Sequence, residues 1–182
     1  MDLIEAFTDL ETNPDLHYGR LLLLLNAFAG QDAKGGIEGL TKLAKLDFLL
    51  RYPVLLERAL KARGKSIRDV KLHAHEKTSV ESQMVRFRFG PWDHRYYQFL
   101  NLLVAKGLAK IVHDGRRVST TLTDRGQAAA VKLATTSEFA DIARRAHLLK
   151  AHLDLTATNL VRFIYDTFPE VVSLKLNETI EP

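Results

Sequence analysis

The sequence predicts a mainly α-helical protein built around one winged-helix domain, with helical extensions at both ends. Two observations carry this expectation. From Met84 to Gln127 the chain reads strand, amphipathic helix, hairpin, helix, the order of elements in a winged-helix module. Elsewhere apolar residues recur at helical spacing and Gly or Pro falls between the periodic runs. The expected organisation is an N-terminal helical extension at 1–34, the winged-helix domain at 35–135 with a loop insertion at about 65–82, and a C-terminal helical extension at 136–182. The sheet should be a two- to three-stranded antiparallel ribbon.

In order along the chain, Leu3, Phe7 and Leu10 mark a short first helix that stops before Pro14. A second helix covers Leu16 to Ala29 and ends at Gly30. Its leucine run, Leu21–Leu25, is too short to cross a membrane, which takes about 20 apolar residues, so a buried core helix is expected. GQDAKGG then connects to a third helix, about Ile37 to Arg51, apolar on most of its circumference, where Asp47 and Arg51 are spaced to pair. Pro53 suits the first turn of the next helix, which Gly64 closes. Lys65 to Ser82 reads as an irregular loop, with one strand near IRDVKLHA. Beyond the central module, helices are expected at Asp124–Ala134, Ser137–Leu153 and Thr156–Phe168, with Asp141 and Arg145 paired along the second. The tail after Val172 lacks periodicity and should lie along the surface.

The central module carries the functional signal. In the strand that opens it, Met84, Arg86 and Arg88 alternate with Val85, Phe87 and Phe89, giving one basic and one apolar face. Counting 100° per residue from Trp92, the side chains of Tyr96, Phe99, Leu100 and Leu103 fall within about 80° of it and should face a core. The opposite face presents His94, Gln98 and Asn101, flanked by Arg95 and Lys106. Gln and Asn can read base edges and Arg can reach phosphate or guanine, so this helix is the one expected to enter a major groove. Asp114-Gly115 is a strong hairpin signal, and it places Arg116 and Arg117 at the tip of a wing. Met84 to Arg117 holds seven Lys or Arg against two Asp, a local +5 that exceeds the +4 of the whole chain. Positive charge is therefore concentrated where backbone contact would need it.

The remaining features bound the function. At 182 residues and 46% hydrophobic, the chain can bury a core as one domain or two small ones. Cysteine is absent, which removes disulfides, thiolate zinc sites and a cysteine nucleophile. With acidic Asp2, Glu5 and Asp9 near the start, no secretory signal is expected, and a reducing cytoplasm is the expected compartment. His73, His75 and Glu76 resemble half a metal cluster, but two neighbouring histidines do not supply zinc's usual four ligands. No metal or other cofactor is expected. No phosphate-binding GxxxxGK[ST] loop, GxSxG elbow or HExxH motif occurs, so no catalytic residue is assigned. Phe139, Ile142, Ala146, Leu149 and Leu153 form a stripe suited to core packing, or to docking a partner helix.

Three segments carry a family resemblance: KLAKLDFLLRYP, RFRFGPWDHRYYQFLNLLVAKGLAKI with its LTDRG sequel, and NLVRFIYDTFPEVV. Together they resemble the small middle component of bacterial three-component ABC systems, the group that includes Lamassu-type antiphage and antiplasmid defence. The likeness spans roughly residues 36 to 172. It implies a non-catalytic adaptor that joins an SMC- or Rad50-like ATPase to an effector subunit and touches double-stranded DNA. It carries no catalytic residue onto this chain. The other expectation is a homodimeric winged-helix transcription regulator that reads an operator with His94, Gln98 and Asn101. The long loop at Lys65–Ser82 departs from a compact helix-turn-helix regulator and suits a scaffold better.

Overall fold

The computed structural model describes residues 14–30, 34–78, 84–85, 95–170 and 179–180. The expected first helix around Leu3, Phe7 and Leu10 lies outside the described residues. The chain is mainly helical, with a small three-stranded antiparallel sheet in a layout compatible with a winged helix. Helix α1 spans Pro14–Ala29, and Leu21 to Leu25 are all 4% exposed or less. It packs against most of the later helices and the sheet, which is why a helix apolar nearly all round is stable here. No helix among the described residues is long and apolar enough to cross a membrane.

Strand β1 (Ile37–Glu38) precedes helix α2 (Leu40–Arg51). The sequence assigned Ile37 to the start of that helix; instead it pairs with Thr120 as the third strand of the sheet. The glycines explain the difference. A Cβ on Gly36 would sit 2.6 Å from the Thr120 carbonyl oxygen, so only glycine lets the chain approach that closely. Gly39 then turns the chain out of the strand at φ 78°. Helix α3 (Pro53–Ala62) follows after Tyr52, with Pro53 in its first turn as expected.

The segment expected to be an irregular loop contains two short helical pieces among its described residues. These are a 3-10 turn at Arg68–Val70, where a strand was expected, and helix α4 (Ala74–Thr78). Arg145 holds it in place. Its Nε donates to the Val70 carbonyl at 2.9 Å, and its Nη2 to the Lys71 carbonyl at 3.0 Å. The same guanidinium grips Glu76 at 2.6 and 2.8 Å. Arg145 therefore turns away from Asp141, its expected partner. Asp141 takes Arg144 and His73 instead, each at 2.5 Å.

Strand β2 (Met84–Val85) pairs with β5 (Thr179–Ile180) and not with the hairpin. The tail, which carries no periodicity, thus contributes a short strand at Thr179–Ile180, whereas Arg86 to Phe89 lie outside the described residues. Helix α5 (Arg95–Ala105) leads into the hairpin β3 (Ala109–Asp114) and β4 (Arg117–Leu122). The sheet order is β1-β4-β3. Helices α6 (Asp124–Ala134), α7 (Ala140–Leu153) and α8 (Ala157–Thr167) complete the chain. Thr123 and Thr156 cap α6 and α8 by accepting backbone N–H groups from Gly126 and Asn159.

A single apolar cluster runs from Leu21 in α1 to Phe168 after α8, so both terminal segments share a core with the middle of the chain. The α7 stripe lies within it. Leu149 and Leu153 are fully buried, Ile142 packs at the margin, and the Phe139 ring lies against Gly19 of α1. Of the two roles open to this stripe, core packing is the one it fills inside this chain. Leu149 and Leu153, both 0% exposed, present no surface to a partner helix in this fold. Polar ties close the outside of the bundle. Lys42 and Lys150 both reach Asp154 at 2.6 Å, and Arg58 reaches Glu170 at 2.7 Å.

Candidate nucleic-acid interface

Helix α5 is held by its inner face. Tyr96, Phe99, Leu100 and Leu103 are 8% exposed or less, as the periodicity predicts. The aromatic contacts are specific: Phe99 stacks on His17 with ring centroids 5.0 Å apart, and Tyr18 meets its edge at 5.7 Å.

A buried polar network, invisible to the periodicity, anchors the same face. The Tyr96 hydroxyl donates to Asp47 Oδ2 at 2.5 Å. Arg20 donates to both oxygens of the same carboxylate, at 2.5 and 3.0 Å, and its Nη2 donates to His17 Nδ1 at 2.8 Å. Three helices, α1, α2 and α5, thus meet on one carboxylate. Burial alone would push the Asp47 carboxyl up, but Arg20, the Tyr96 hydroxyl and His17 outweigh it, and the group lies below its ordinary value. Burial first, and then the facing carboxylate, push the Tyr96 hydroxyl well above its usual range. The expected Asp47–Arg51 pair gives way to this arrangement because Asp47 faces inward, at 1% exposure. The available signal was an Arg and an Asp each set inside an otherwise apolar helix (Arg20 in LHYGRLLLLL, Asp47 in KLDFLL). Such residues are buried only when paired.

With that face pinned, Gln98 and Asn101 point to solvent, as the sequence placed them. Beside them Tyr97 and Val104 are also exposed, at 61% and 39%. The spacing argument singled out neither, although Tyr97, Asn101 and Val104 share one helical face. Arg86, Arg88 and His94 lie outside the described residues, and so does the side chain of Arg95, whose backbone opens α5.

The hairpin projects next to this helix. Asp114 faces Arg117 across a two-residue connection, with Gly115 at φ 59° in the first central position, the residue a type II′ turn requires there. Arg116 and Arg117 are exposed at and beside the tip, with Lys106 and Lys110 nearer the base. Arg117 approaches Glu38 at 3.9 Å, with both side chains more than half exposed. Screening leaves such a pair worth little, and Arg117 can exchange it for another anion. Chemically, the surface offers amide side chains able to bond base edges beside flexible cations able to meet phosphate.

His73 and His75 stack 5.5 Å apart, with His73 engaged by Asp141 and its backbone N–H donating to Glu76. Among the described residues no group of three or more His, Cys, Asp or Glu is placed to hold a metal ion. No protein-family model, curated protein or solved structure matches the chain.

Proposed function

We propose that this protein is a non-catalytic adaptor subunit of an SMC-like ATPase complex in bacterial antiphage or antiplasmid defence. It bridges the ATPase and an effector and contacts double-stranded DNA through a winged-helix domain. One observation carries the DNA contact: the exposed Gln98–Asn101 face of α5 stands beside a projecting hairpin whose tip bears Arg116 and Arg117. Arg86, Arg88, His94 and Arg95 extend this basic surface in the proposal. The adaptor role is supported by the three resembling segments and by the lack of any nucleotide-binding loop in the sequence.

Binding to random duplex, followed by fluorescence anisotropy across a salt series, tests the DNA contact. The affinity should be weak, indifferent to sequence and steeply salt-dependent. Replacing Arg116 and Arg117 by Ala should flatten the log–log slope by about 0.9 for each phosphate no longer neutralised. An unchanged slope removes the hairpin from the interface. A preference of about 10³ or more for one site over random DNA would instead identify a regulator. Co-purification with a coiled-coil ATPase encoded beside its gene tests the adaptor role.

A further inference from the structure

The outer backbone edge of the hairpin is not used by the proposed function. β3 ends the sheet, and no strand among the described residues pairs with its far side. Every residue from Lys110 to Asp114 is exposed, including Ile111 and Val112 at 40% each, and Val118 behind them is 42% exposed. Natural edge strands are blunted by prolines, bulges, covering loops or several charges. This one is six residues long, without proline or glycine, and Lys110 is its one lysine. We infer that β3 is the pairing edge of a homodimer, joined antiparallel to β3 of a second copy with Lys110 opposite Asp114.

The register follows from the hairpin. In a two-residue connection the closing pair, Asp114–Arg117, is hydrogen-bonded. Alternation then makes Val112–Ser119 and Lys110–Thr121 hydrogen-bonded too. The backbone groups of Ala109, Ile111 and His113 are left pointing outward. A second copy can bond them only where odd-numbered residues face odd-numbered ones.

Among those registers, centring on Val112 sets Val112 against Val112, Ile111 against His113 and Lys110 against Asp114, twice by the two-fold symmetry. Centring on Ile111 leaves Lys110 facing Val112, and centring on His113 leaves Asp114 facing Val112. Opposite charges directly across a pair of strands stabilise it and like charges oppose it, so the Val112-centred register is selected. Charge then alternates across the joined sheets: Arg117, Asp114, then Lys110 of the second copy. Val112 buries against its mate on one face, and Ile111 lies beside His113 and Val118 on the other.

Sedimentation equilibrium of the full chain, from micromolar to several hundred micromolar, should show a concentration-dependent dimer. Lys110→Asp or Asp114→Lys alone sets like charges opposite each other at both sites and should weaken it about tenfold or more. The double variant should restore it. His113→Pro removes an outward N–H donor while the bonds to β4 stay intact, and it should also give monomer. A thermal melt by circular dichroism confirms that each variant is folded. A monomeric wild type throughout the range overturns the inference. So does a dimer unchanged by His113→Pro, or a folded double variant that stays monomeric. DNA binding is measured separately, so the two readings fail independently.

Discussion

Leu21–Leu25 in α1 and Ile111, Val112 and Val118 in the hairpin are all aliphatic, yet the first group is 4% exposed or less and the second 40 to 42%. Residue type does not separate them. Position in the topology does: α1 is surrounded by helices and the sheet, while β3, among the described residues, pairs with a strand on one side alone. In the core, a side chain acts through what it excludes from water. On the hairpin, it is available for contact with other molecules. The two regions should therefore answer mutation in different measurements, stability for the first and association for the second.

The sharpest contrast is at Asp47. Removing its carboxylate takes away the counter-ion that Arg20, 8% exposed, binds through two nitrogens, and breaking a buried pair from one side costs about 3–5 kcal/mol. Asp47→Ala should lower the denaturation midpoint accordingly. Because the Asp47 pKa is depressed in the folded state, its stabilisation is complete above the unfolded carboxylate value. It is lost as pH falls through the folded one, so the variant should lose acid sensitivity along with stability. Next, Leu149→Ala should cost about 2–5 kcal/mol, measured by urea unfolding. Either substitution proving neutral would break the distinction.

Lys45 tests the core from the opposite direction. It is 2% exposed and its ammonium lies 5.4 Å from the centre of the Tyr165 ring. Burial lowers its pKa from 10.5 to about 8. The folded state then binds fewer protons than the unfolded one between those values, so stability should rise with pH from about 8 to 10. Above 10.0, the ordinary value for tyrosine, Tyr96 works in reverse, since its folded pKa is raised. Lys45→Met should stabilise the protein at pH 7, by on the order of 3 kcal/mol, and abolish the rise. On the hairpin, Val118→Thr should change stability by no more than about 0.5 kcal/mol. Its effect belongs in the sedimentation measurement.

Much of this fold was legible in the sequence because periodicity reports which face is buried. The inner face of α5, the leucine run and the hairpin all follow from the order and spacing of residues. Ile37–Glu38 was not legible, since two residues carry no period and only Gly36 and Gly39 hint at a strand. Local spacing also misassigned Asp47 and Asp141. Asp47 had Arg51 a helical turn away yet bonds Arg20, distant in sequence; Asp141 takes its neighbour Arg144 rather than Arg145, and the distant His73 as well. Of the interface, the exposure of Gln98, Asn101, Arg116 and Arg117 was legible, but the network that fixes the roll of α5 was not. Pairing between helices depends on how they cross, and no single segment encodes that.

At the foot of the hairpin, Thr123 bonds the Gly107 carbonyl at 2.6 Å, and the Leu108 carbonyl receives the Thr123 N–H at 3.1 Å. Gly126 lies so close by that a Cβ there would fall 1.8 Å from the Leu108 oxygen. One missing methyl group therefore sets the pitch at which the hairpin leaves the body. Any larger residue at 126 would act as a wedge, swinging both arginines off their bearing while the leucines behind stayed undisturbed.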